Sequence, residues 1–169
     1  VTLNKGDGIT AQSNSHISDT TSSGNGGLGI SLSGESNVVS DCVASGNTAT
    51  GIQVASGSTV ENCSVLSNDG NGIQTDGRVL IRHNHVRRNG SVGIVFFGVG
   101  AKIEGNEASD NLSGGIVAGF GASGGIVVRN TASGNGATFG NFQLNTFSSV
   151  RYGPMNLAAA DAAWATVAY

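Results

Sequence analysis

The chain has 169 residues, a net charge of −3 and only 11% charged residues. That balance leaves no broad basic field for nucleic acid, and no apolar run reaches the ~20 residues of a membrane span. Apolar residues make up 38% and glycine contributes 28 positions; the apolar positions recur at regular intervals, which a disordered chain does not require.

The first stretch, VTLNKGDGIT, begins with Val rather than Met and carries no signal-peptide pattern, as expected of a processed or trimmed product. Val1 and Leu3 read as the end of a strand, and nothing resembling a cap precedes the first repeat. Stacking of upstream coils or of another subunit is therefore expected at that end.

From there a dipeptide sets the period. Gly-Ile occurs at Ile9, Ile30, Ile52, Ile73, Ile94 and Ile116, with Asn141-Phe142 read as the seventh place. A second apolar column follows at Ile17, Val39, Val60, Ile81, Ile103 and Val127. Each of the first five lies 13 residues before the next Ile, while the preceding half varies in length. A constant half-coil with one variable connection is solenoid behaviour. Within each period the segments are short and alternate, as in Ile52-Gln53-Val54, Val60-Glu61 and Cys63-Ser64-Val65, so strands fit where helices do not. Three strands per coil, stacked ~4.8 Å apart, predict three parallel sheets and about seven coils of 21–22 residues.

Two polar columns support this register. Asn25, Asn47, Asn68, Asn89, Asn111 and Asn135 lie eight residues after the second apolar column. Asn accepts left-handed backbone, and its amide bonds along a stack. Three residues after the same apolar column come Thr20, Cys42, Cys63, Asn84, Asn106 and Asn130, read as inward turn positions. Cys42 and Cys63 thus neighbour each other on adjacent coils. They are read as buried free thiols packing as small apolar groups, with a disulfide as the alternative that an oxidising compartment would favour. Neither belongs to a metal-binding pattern.

The successive segments GIQVASGSTVENCSVLSN and GIQTDGRVLIRHNHVRRN resemble the right-handed parallel β-helix repeat family, which includes pectate-lyase-like proteins and polysaccharide epimerases. The resemblance covers about residues 8 to 147. It implies an all-β, right-handed, single-stranded parallel β-helix. It also implies an extracellular, secreted or cell-surface setting, and an acidic polysaccharide as substrate if the chain is a lyase or C5-epimerase. Lyases of this group hold Ca²⁺ with outward acids, and epimerases use an Asp, His and Tyr arrangement. This chain shows no column of adjacent acids, and its tyrosines, Tyr152 and Tyr169, lie far from the histidines. Hence no cofactor is expected, Ca²⁺ enters by family analogy alone, and the family's catalytic residues do not carry over.

The stretch VLIRHNHVRRNG concentrates the basic residues. In register, Arg82 falls between Glu61 and Glu104, His85 between Ser64 and Glu107, and Arg88 between Ser67 and Asp110. The first reading is a solvated ladder of opposite charges that fixes register. The second is a glycan or anion site using His83, His85, Arg87 and Glu107. There His and Glu would serve as acid and base, and Arg would hold a carboxylate. His83 and Arg87 are the two residues for which the columns offer no charged partner.

The later coils turn apolar outside. Val95 and Val117 replace the polar Ser31, Gln53 and Gln74 of earlier coils, and Phe97 and Phe120 sit in nearby Gly-rich loops. These four are candidates for an aromatic and apolar platform for sugar rings or a partner chain. The other reading is that the C-terminal tail covers them. That tail holds the only Pro, Met and Trp, so coils over 1–147 and a capping tail over 148–169 are expected. Phe142, Leu144 and Phe147 would close the last coil, with Met155, Leu157, Trp164 and Val167 packing beyond it. The function expected is an interaction or structural scaffold, glycan-facing or self-associating, with a polysaccharide-processing enzyme as the alternative.

Overall fold

The computed structural model describes residues 1–137 and the backbone of three further strands, Phe139–Gly140, Thr146–Ser148 and Arg151–Tyr152. The chain coils through three sheets in turn, and each sheet contains seven parallel strands. The first sheet carries the Gly-Ile column, in strands such as Ile52–Val54 and Ile73–Thr75. The second carries the next apolar column, in Thr59–Glu61 and Leu80–Arg82. The third is built of segments such as Ser64–Leu66 and His85–Arg87. The architecture is thus all-β: a parallel solenoid with the predicted three strands per coil.

Register matches the sequence columns. Ile73 pairs with Ile52 and Ile94, Ile81 with Val60 and Ile103, and Val86 with Val65 and Ala108. Period-two alternation sends these side chains inward, where Ile52, Ile73, Ile81, Ile94 and Ile103 are fully buried. At the seventh coil the register differs from the expectation. Ile116 pairs with Phe139, not with Phe142. The step is 23 residues instead of 26, because hydrogen-bonded pairing, not resemblance to a Gly-Ile dipeptide, sets the place. The second sheet continues with Val127 opposite Phe147. The side chains of Phe142, Leu144 and Phe147, and all residues from 153 onward, lie outside the described residues; so do the packing partners expected for Met155, Leu157, Trp164 and Val167.

The Gly before each Ile has a steric cause. A β-carbon on Gly72 would sit 2.3 Å from a Val86 methyl and 2.5 Å from the Gly93 carbonyl oxygen. No side chain fits there, because successive coils touch backbone to backbone.

The Asn column is a continuous buried ladder. The amide of Asn25 donates to Asn47 Oδ1, Asn47 to Asn68, Asn68 to Asn89, Asn89 to Asn111 and Asn111 to Asn135, at 2.8–3.0 Å. The same Oδ1 atoms accept the backbone N–H of the preceding Asn. Asn4 extends the column one step further, its N–H bonding Asn25 Oδ1 at 3.1 Å. Asn84, Asn106 and Asn130 form a second ladder at the corner between the second and third sheets. Both ladders satisfy turn N–H groups that the strands leave unpaired, which buried backbone requires.

Cys42 and Cys63 continue this second ladder in sulfur. Both are buried and unbridged. Asn84 Nδ2 reaches the Val60 carbonyl, and Cys63 Sγ lies 3.8 Å from the corresponding Val39 carbonyl. Cys42 Sγ stands 3.6 Å from Ile17 O. The neighbouring Cys63 thiol pulls the Cys42 thiol down to about 7, while Cys42 and burial push the Cys63 thiol up.

Candidate functional site

The corner between the second and third sheets of the fourth coil presents the basic stretch. Strand Leu80–Arg82 ends on Arg82, His83 makes the turn with φ 55, and strand His85–Arg87 follows. His85 and Arg87 face outward on one strand, because Val86 between them points into the core.

His85 meets Glu107 as the columns predicted. Its Nδ1 lies 3.2 Å from Glu107 Oε2, with side chains 70% and 50% exposed. At that exposure the pair contributes ~1 kcal/mol at most. Arg82 binds Glu61 at 2.6 Å but not Glu104. Glu104 is taken instead by Lys102, 2.6 Å away on the same face of its own strand, and by Arg129 at 3.2 Å from the next coil. The Lys102 hydrogen bond, reinforced by the charges of Lys102, Arg129 and His83, holds Glu104 below the usual carboxylate range. Its depressed value means that Glu104 contributes stability above the ordinary carboxylate range, lost as pH falls through that depressed value. The column reading missed this group because it compared adjacent coils position by position. The i, i+2 spacing of Lys102 and Glu104 along one strand was the available signal.

One further expectation changes. Arg88 makes no ion pair with Asp110, whose Oδ1 leans over Gly134 on the following coil. His83, for which the columns offer no charged partner, packs its ring against its column neighbour Gly105, where a β-carbon would meet Cδ2 at 2.8 Å. The four candidates therefore split. His85 and Glu107 touch. Arg87 shares their face but stands between Leu66 and Ser109. His83 turns toward the Glu104 group.

A shallow cavity of about 150 Å³ lies elsewhere, where the first sheet turns toward the second on coils two to four. Gln53 and Gln74 stack along it, with Ser33, Thr75 and Asp76 at its edge. Asn71 donates to Gln74 Oε1 at 2.9 Å and fixes that amide. Thr75 Oγ1 is buried and has no hydrogen-bond partner among the described residues. Further along the same sheet Val95 pairs with Gln74 and Val117. Val95 is only 6% exposed although it faces outward. Phe97 lies over Gly119, and Phe120 projects into solvent at 95% exposure. The aromatic residue that fills the core is Phe96, fully buried opposite Thr75 and Ala118. The sequence reading had singled out its neighbour Phe97.

Ca²⁺ of the kind held by clustered acids does not fit these residues. Among the described residues no three His, Cys, Asp or Glu side chains converge on one point. No described helix is long and apolar enough to cross a membrane.

Solved structures similar to this one include two epimerases and a pectate lyase. A variant of the periplasmic alginate epimerase AlgG superposes with TM-score 0.77 at 19% identity, over 89% of this chain and 44% of that one. Pectate lyase Pel9A gives 0.74 at 20%, over 99% and 58%. The A-module of the Azotobacter vinelandii mannuronan C-5 epimerase AlgE6 gives 0.67 at 17%, over 92% and 57%. The chain spans about half the length of each, and at these identities the likeness is one of fold. No curated protein matches the sequence. The family described as right handed beta helix region matches residues 1–132. With three parallel sheets in register over that span, the chain belongs to the right-handed parallel β-helix family.

Proposed function

We propose that this chain is a non-catalytic binding scaffold working outside the cytoplasm, which presents a rigid polar face to a glycan. The observation that carries the reading is the cavity lined by Gln53 and Gln74. Two side-chain amides on rigid strands, with the Ser33 hydroxyl and the Asp76 carboxylate nearby, suit the hydroxyls of a sugar. The open setting of His85 and Glu107 supports the absence of chemistry at that pair: water reaches both, and no described group encloses a reacting atom there. The similarity to a periplasmic alginate epimerase and to a pectate lyase supports the compartment and the ligand class.

The second reading is a polysaccharide lyase or epimerase, favoured by the same likenesses. One experiment separates the two. The chain is incubated with a panel of acidic and neutral polysaccharides, and binding, unsaturated products and epimerised residues are measured together. Binding without turnover, weakened by Gln53→Ala with Gln74→Ala, is expected. Turnover that His85→Ala with Arg87→Ala abolishes would replace the scaffold reading with the enzyme.

A further inference from the structure

The fourth coil differs from every other described coil at its corners. Arg78, His83 and Arg88 occupy its three turn positions, each with φ 55. Left-handed backbone favours Gly, Asn and Asp over long side chains. The other full coils place Gly24, Gly46, Ser67, Asp110 and Gly134 in the Arg88 column, and outside the fourth coil only Leu3 and Arg129 are long side chains at positive φ among the described residues. In the Arg78 column the other full coils place Asn14, Ser36, Gly57, Gly100 and Gly124. Here three basic residues stand where backbone conformation disfavours them, and strain of this kind collects at functional positions.

Charge pairing and adjacency together then single out one of these corners. Arg82, His85, Lys102 and Arg129 each lie within ion-pair distance of a carboxylate. Among the described residues Arg78, Arg87 and Arg88 do not, and of these only Arg87 and Arg88 are neighbours in the chain. Arg87 stands between Leu66 and Ser109, and the Asp110 carboxylate leans away from Arg88 over Gly134. Glu107, the nearest acid in register, is engaged by His85. Two adjacent exposed guanidinium groups remain at the end of the third sheet, bordered by Ser67 and Ser109.

We infer that Arg87 and Arg88 form an exosite for an anionic polysaccharide, on a different corner of the solenoid from the Gln53–Gln74 cavity and independent of it. Guanidinium forks take carboxylate or sulfate groups through paired hydrogen bonds. A single small anion gains little at so exposed a site, whereas a polymer engages both forks and rebinds before it escapes. A nucleic acid is the poorer partner, since the net charge is −3 and the residues in register with Arg87 among those described, Leu66 and Ser109, are not aromatic.

The test is biosensor binding of the full 169-residue chain to polygalacturonate, dextran sulfate, neutral dextran and single-stranded DNA, at low and high salt. The carboxylated and sulfated arms identify which anion is preferred. The variant Arg87→Ser with Arg88→Gly uses residues already present in the same columns, so it preserves the fold and relieves the left-handed strain. The expected result is polyanion binding that weakens with salt, falls about tenfold or more in the variant, and leaves the melting temperature unchanged or higher. Four outcomes overturn the inference: equal affinity in the variant, no preference over neutral dextran, binding to DNA alone, or an equal loss in Gln53→Ala with Gln74→Ala. The last would also place the polyanion in the cavity already proposed for glycans, so the two proposals fail separately.

Discussion

At the scale of single residues, the core accepts side chains by shape before polarity. Thr75 occupies an inward column that otherwise holds Ala11, Leu32, Val54, Phe96 and Ala118, all apolar and all but Ala11 buried. Its methyl packs like one branch of a valine, while its hydroxyl is buried without a partner among the described residues. An unmade hydrogen bond costs more than an apolar replacement of the same shape. Thr75→Val is therefore expected to stabilise the protein by about 1 kcal/mol, read from the midpoint of urea unfolding; a lower midpoint would show that the hydroxyl is satisfied. The same scale shows what the columns left unsaid about His83. Alternation told which residues face outward, but not that the turn column imposes positive φ, nor that Gly105 leaves room for an imidazole above it.

At the scale of the element, the turns are organised by ladders more than by the strands, which are mostly three residues long. The Asn columns were legible in the sequence because each rung is chemically required: it supplies an acceptor to a buried N–H that the sheets leave over. The charge ladder was only half legible. Arg82–Glu61 and His85–Glu107 formed, while Glu104 and Asp110 turned to other neighbours. Exposed long side chains have several partners of similar energy within reach, and coil register does not choose among them. The sulfur rungs offer a test of the buried rule. In Cys42→Asn with Cys63→Asn, residue 63 gains an acceptor for the N–H of residue 42, and both amides reach the carbonyls of Ile17 and Val39 now faced by sulfur. Completing the ladder is expected to add about 1–2 kcal/mol, seen as a higher thermal midpoint. A lower one would mean that this part of the core has room for thiols only.

At the scale of the whole molecule, each coil contacts its neighbours and little else, so stability is a sum of nearest-neighbour terms. Ile81 lies in the middle, fully buried between Val60 and Ile103, whereas Ile17 belongs to the first full coil and is half-buried. Ile81→Ala is expected to cost about 2–5 kcal/mol and to speed amide exchange in coils on both sides. Ile17→Ala is expected to cost less and to loosen the first coil alone. Hydrogen exchange followed by mass spectrometry distinguishes these patterns; equal loosening throughout both variants would mean that the stack opens as one unit. The coil count and the inward columns were readable at this scale because one period repeats. The cavity was not, because Gln53, Gln74 and Asp76 converge across coils through the path of a turn that spacing does not describe.

The Asn ladder also gives the stack a direction. Every rung from Asn25 to Asn111 donates one amide N–H to the next Asn toward the C-terminus and accepts on Oδ1 from the coil before, while the second N–H of Asn47, Asn68, Asn89 and Asn111 goes to a backbone carbonyl of that earlier coil. Its amide dipoles thus add head to tail, as those of peptide groups do along a helix. A coil turned the other way within the stack would set acceptor against acceptor, so the ladder holds all of its coils to one polarity.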